Sequence, residues 1–129
     1  MALAYSTTLR NSMLDAITTA VGASGKLRIY DGARPATGGA ATTLLVELPL
    51  SATFAPASSG GVLTANAITS AVSVASSTAT WFRIVTSGGA FVYDGSVAAA
   101  ASDLNLSTTT ITSGVTVAVS SLVITEGNP

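Results

Sequence analysis

The chain has 129 residues, 48% of them hydrophobic, with no cysteine and no histidine. That is one ordinary domain with enough apolar material to close a core, and it removes Ser–His–Asp and Cys–His catalysis, His-ligated zinc and disulfides together. Charged residues make up only 9% and the formal net charge is −1, against roughly 25% charged in an average globular chain, which excludes both a basic nucleic-acid surface and the high-charge, low-hydrophobicity profile of disorder.

In chain order, the start MALAYSTTLRNSM lacks a basic n-region and a continuous apolar h-region, so no secretory signal is read there. Nothing approaches eighteen consecutive apolar residues, so no membrane span is expected, and a soluble protein made in a cytoplasm is. From about Thr8 to Val21 the apolar residues Leu9, Met13, Leu14, Ile17, Ala20 and Val21 form a helical stripe. Ser6, Thr7 or Thr8 caps it and Gly22 stops it, with Arg10, Asn11, Asp15, Thr18 and Thr19 largely on the wet side. This is the reading of a helix laying one face on a sheet.

After Gly25 the period changes to that of strands. Lys26–Tyr30 alternates, with Leu27 and Ile29 on one face; Asp31-Gly32 turns the chain, and Arg34 to Gly39 is a loop. Leu44 to Leu50 is a strand in which Pro49 marks an end or a sheet edge. Thr53 to Ala55 is a short piece, and Val62 to Ile68 places Val62, Thr64, Asn66 and Ile68 on one face. Val72 to Ala75 is short. Thr78 to Val85 carries Trp81 and Arg83 on one face, Phe82 and Ile84 on the core face, and Ser87-Gly88-Gly89 makes a hairpin into Ala90–Tyr93, ended by Asp94-Gly95. Ala98 to Ala101 is too short to assign; Leu104 to Leu106, Thr109 to Ile111 and Val115 to Ile124 close the chain. The fold class is therefore mainly β, an antiparallel sandwich or jelly-roll-like barrel with one N-terminal helix. Tyr-Asp-Gly occurs at both 30–32 and 93–95, a repeated turn solution more economically than a duplication.

Chemistry is sparse. The six carboxylates fall on different elements; only Asp31 and Asp94, if their strand ends met, would make a calcium or acid–base pair, and turn capping is the simpler role. The Gly-rich stretches at 37–40 and 58–61 lack the Lys-Ser/Thr ending of a phosphate loop. Trp81 with Arg83 reads as packing, as a protein-interface anchor, or as a carbohydrate platform shared with Tyr30 or Tyr93. No catalytic residue, cofactor or metal ligand is expected, and the chain is not read as an enzyme. So few charges on a folded chain favour burial of surface against other copies.

The stretch Leu27-Arg28-Ile29-Tyr30-Asp31-Gly32-Ala33-Arg34-Pro35-Ala36-Thr37-Gly38-Gly39 resembles one in small Ala/Thr-rich virion proteins of tailed bacteriophages. A helix like Leu9–Ile17 precedes it in them and a strand like Thr78–Arg83 follows. The resemblance covers nearly the whole chain and is most similar to head decoration, or cement, proteins. It implies a homotrimer on the outer surface of the capsid that bridges copies of the major capsid protein, assembled in the bacterial host cytoplasm, with neither nucleic acid nor membrane as partner. Residues 1–7 then read as an arm before a single domain, 8–129, because Leu3 and Tyr5 are apolar in a piece without a core. The expected partner-interface residues are Leu3, Tyr5, Arg34, Trp81 and Arg83. Tail, baseplate or fibre-associated proteins, and a carbohydrate-binding module, are the competing readings.

Overall fold

The computed structural model describes residues 4–99, 104–106 and 108–125, and within them the chain is β-rich with one leading helix. Helix α1 spans Thr7–Val21 and opens where Ser6, in extended backbone, accepts a hydrogen bond from the Leu9 N–H. It ends at Gly22, whose positive φ of 69° a side chain would strain. Only Leu14 and Val21 are fully buried on it, with Ile17 packed beside them. The apolar stripe is narrower than its spacing implied, and Leu9 at its start is exposed.

Strands β1 (Lys26–Tyr30), β2 (Leu44–Pro49), β6 (Trp81–Val85), β7 (Phe91–Ala98) and β8 (Leu104–Asn105) form a five-stranded sheet in the order β2-β1-β6-β7-β8. All its pairings are antiparallel except β7 with β8. β2 is an edge strand and stops at Pro49, which has no N–H to continue a ladder. The β6–β7 hairpin is closed by Thr86 N–H to Ala90 O and Gly89 N–H to Thr86 O bonds. One expectation is corrected here: Asp94-Gly95 does not end its strand, which continues to Ala98. Asp94 stands opposite Arg83 and Gly95 opposite Phe82, so both are held in the ladder by tertiary partners.

The remaining strands are β3 (Val62–Thr64), β4 (Ala71–Val72), β5 (Ser77–Thr78), β9 (Thr110–Ile111), β10 (Thr116–Val117) and β11 (Val123–Thr125). They pair antiparallel as β3–β11, β4–β10 and β5–β9. Thr64 faces Val123, Val72 faces Thr116, and Ser77 faces Ile111, so the three ladders keep one register to within a residue. Segments 62–78 and 110–125 thus run along each other as one interrupted ribbon, with β6, β7 and β8 inserted between its two strands. The second layer is this ribbon rather than a continuous second sheet. It joins the edge of β2 through the Val74 N–H to Leu45 O bond, 2.8 Å.

The core lies between the layers. Leu27, Ile29, Val46, Leu48, Phe82 and Ile84 from the sheet form one buried cluster with Leu14 and Val21 of α1 and with Leu63, Ile111, Val119 and Leu122 of the ribbon segment. In the short strand β3 it is Leu63 that points inward, while Val62 and Thr64 are exposed. Gly25, between helix and first strand, has no room for a side chain: a Cβ there would come within 2.5 Å of Val21 Cγ1 and 2.8 Å of the Val85 carbonyl oxygen. That absence lets the end of α1 close down on the sheet.

Candidate functional site

Alternation along β1 and β6 sends Leu27, Ile29, Phe82 and Ile84 to the core and Lys26, Arg28, Tyr30, Trp81 and Arg83 to the opposite face. Register then does what sequence spacing alone cannot. It aligns Glu47, Arg28, Arg83 and Asp94 in one row across β2, β1, β6 and β7. Two guanidinium groups side by side would repel, and each is answered by a carboxylate on its far side. Arg28 Nε donates to Glu47 Oε2 at 2.6 Å, with Lys26 Nζ 3.6 Å from the other carboxylate oxygen. Arg83 grips Asp94 with two bonds, Nε to Oδ1 at 2.7 Å and Nη2 to Oδ2 at 3.0 Å. The hydrogen bonds to Glu47 and to Asp94 raise the pKa of Arg28 and Arg83 above the usual guanidinium value, against the opposing effect of burial.

The second row of this face is aromatic. Trp81 stacks on Tyr30 with ring centroids 4.4 Å apart, and Arg83 lies over the Trp81 ring at 5.2 Å and over Phe91 at 5.0 Å. The loop between β1 and β2 folds over them. Trp81 Nε1 donates to the Asp31 carbonyl and to Thr42 Oγ1, each at 3.0 Å, and Thr42 Oγ1 in turn donates to that carbonyl. Thr80 Oγ1 reaches Gly32 O at 2.6 Å and Arg83 Nη2 reaches Gly39 O at 2.9 Å.

The expected interface residues therefore separate. Trp81 is 1% exposed and Arg83 9%, so the expectation that they form a partner-facing or sugar-binding surface is corrected: their own chain covers them. Tyr30 is buried with them, and Tyr93 sits edge-on to Phe82. Arg34 is exposed at the mouth of an open cleft of about 490 Å³ lined also by Pro35, Ala36, Thr37 and Phe91. Tyr5 is half-buried just before the helix cap, and Leu3 lies outside the described residues. Asp31 and Asp94 do not form a pair: the Asp31 carboxylate accepts from the Thr43 N–H at 3.1 Å, while Asp94 is held by Arg83. Among the described residues no three His, Cys, Asp or Glu side chains gather as a metal site.

Two polar helix residues expected on the wet side instead tie α1 to the loop before β3. Asp15 Oδ1 accepts from the Ser58 N–H at 2.8 Å and Asn11 Oδ1 from the Gly61 N–H at 2.9 Å. Sequence reasoning also missed a surface. Among the described residues, Val62, Val72, Val74, Val115 and Val123, five of the seven exposed large hydrophobic residues, all lie on the ribbon. The signal was present: residues 48–82 and 104–125 contain no charged residue, and in such stretches the apolar residues alternate to both faces. Comparison with protein-family models, with curated proteins and with solved structures finds no match to this chain.

Proposed function

We propose that this chain is a structural virion protein of a tailed bacteriophage, a head decoration protein that binds the outside of the capsid as a homotrimer and bridges copies of the major capsid protein. The observation that carries this reading is where the charges lie. Of the described charged residues, Lys26 and Arg28 pair with Glu47 and Arg83 pairs with Asp94 on one face of the sheet, and the rest of the surface is made largely of Ser, Thr, Ala and Val. Such a surface binds protein with little charge to desolvate. Many identical weak contacts around a shell then sum to a firm grip. The likeness of residues 27–39 to the phage proteins supplies the capsid as the body being held. The mechanism in this reading is mechanical: a rigid two-layer domain resists the separation of the subunits it touches. Arg34, beside its open cleft, and Tyr5 stand as the contacts offered to the capsid.

The test is the copy number of this chain in heads and tails separated from purified virions of the encoding phage, read by quantitative mass spectrometry. Near-parity with the major capsid protein in the head fraction is the expected result. A few copies confined to the tail fraction would move the protein to the tail or baseplate, and absence from both would overturn the virion reading.

A further inference from the structure

The tripeptide Tyr-Asp-Gly occurs at 30–32 and again at 93–95, and the fold treats its two copies differently. Aspartate before glycine lets a side-chain carboxyl meet the next backbone nitrogen most readily, because glycine has no Cβ to shield its amide. At 94–95 that encounter is blocked. The Asp94 carboxylate, 8% exposed, is held by two bonds from Arg83, and Gly95 is buried opposite Phe82 within the β6–β7 ladder. At 31–32 the chain has left β1. Gly32 is exposed with a φ of 71°, and among the described residues its N–H has no hydrogen-bond partner. The half-buried Asp31 side chain is in no ion pair among the described residues. Its Oδ1 accepts from the Thr43 N–H at 3.1 Å, while Oδ2 has no donor among them. The bond at Oδ1 draws electron density from the carboxyl carbon and leaves the other oxygen free to depart.

We propose that Asp31-Gly32 is a modification site at which Asp31 converts spontaneously to isoaspartate, whereas the fold keeps Asp94-Gly95 from the same reaction. The Asp31 carboxylate takes a proton from solvent, and the Gly32 nitrogen forms a bond to Asp31 Cγ. Oδ2 leaves as water, carrying that proton and the amide hydrogen, and a cyclic imide closes. Water then adds to the former backbone carbonyl carbon of Asp31, and the bond from that carbon to the Gly32 nitrogen breaks. The nitrogen regains its hydrogen and the new carboxylic acid returns a proton to solvent. The product is an isomer, so neither oxidant nor cofactor is needed. The chain now passes through Cγ and gains Cβ as a backbone atom, and the old carbonyl has become a carboxylate. That carbonyl accepts from both Trp81 Nε1 and Thr42 Oγ1. The modification therefore falls on the fastening that holds the loop between β1 and β2 over the aromatic face. This chemistry is independent of the capsid role.

The test is incubation of the folded full chain for several weeks at neutral pH and body temperature. Electron-transfer mass spectrometry of its peptides and methyl transfer by a protein isoaspartyl methyltransferase read the product. Isoaspartate is expected at position 31 at least about tenfold above position 94, since the second site reacts only when its ladder opens locally. In the chain unfolded by urea the two positions are expected to react at similar rates, because each aspartate lies between the same two residues. Trp81 emission should move to longer wavelength, and acrylamide quenching should rise, in step with the modified fraction. Asp31→Glu, which would have to close a larger and slower-forming imide, is expected to give no product at 31 and a steady Trp81 signal. If that variant does not fold, positions 31 and 94 of the wild type still decide. Isoaspartate absent from 31, or equal at 31 and 94 in the folded chain, overturns the proposal. A preference for 31 that persists unchanged in urea overturns it as well.

Discussion

Arg83 and Trp81 hold the loop between β1 and β2 over the sheet, and their substitution reads out how. Replacing Arg83 by Met strands the Asp94 carboxylate, 8% exposed, in a covered site, at an expected cost of about 3 kcal/mol. The Arg83→Met/Asp94→Leu double variant should recover most of that loss, since an apolar pair removes the uncompensated charge; urea denaturation of the three proteins measures both. Trp81 is the sole tryptophan, so its fluorescence reports on one site. It should emit at short wavelength, resist acrylamide quenching and remain unchanged on titration with saccharides; a shift with sugar would revive the carbohydrate reading. Trp81→Phe keeps the stack on Tyr30 but loses both Nε1 hydrogen bonds, an expected destabilisation of about 1–2 kcal/mol. Alternation along 78–85 correctly placed Trp81 with Arg83 on one face and Phe82 with Ile84 on the other. It is blind to a cover arriving from residues 31–43, because the period of a strand describes its two faces and not what lies above them.

At the scale of elements, α1 was legible nearly to its ends. Gly22 is the expected stop and Ser6 is the cap among the three candidates Ser6, Thr7 and Thr8, and Ser6→Ala should cost about 1 kcal/mol in thermal unfolding. Of the apolar stripe, Leu14→Asp should prevent folding, whereas Leu9→Asp should shift stability by no more than about 0.5 kcal/mol, since of these two only Leu14 is in the core. A soluble Leu14→Asp protein with unchanged melting would refute the packing of helix on sheet. Gly25→Ala should be destabilising in the same assay, because its Cβ meets the Val85 carbonyl and not merely a movable side chain. The strands Lys26–Tyr30 and Leu44–Pro49 were read almost to the residue. Asp94-Gly95 was misread as a turn, since Asp-Gly favours turns only while the aspartate has no better partner, and here Arg83 supplies one.

Among the described residues, the ion pairs and most of the exposed valines lie on different parts of the fold. The ion pairs sit on the outer face of the sheet and the ribbon segments carry no charge, so each surface answers to a different physical force. Association of the proposed homotrimer through uncharged surface should survive, or tighten in, high salt, because such a contact has no ion pair to screen and salting-out ions strengthen apolar burial. Sedimentation at low and high sodium sulfate checks this; dissociation by salt would place the contact on the charged face instead.

Composition and periodicity by themselves determined the β-rich class, the leading helix with its caps, the β6–β7 hairpin and the division of β1 and β6 into a core face and an outer face. These follow from forces between residues a few positions apart, which a sequence displays directly. Only the tertiary structure decided that 62–78 pairs with 110–125, that Glu47, Arg28, Arg83 and Asp94 fall in one row, and that the aromatic face is sealed while the valines are not. Those outcomes depend on which distant segments win the competition for one another's edges and faces. Strand periodicity carries no information about distant partners, and register decides which side chains finally meet.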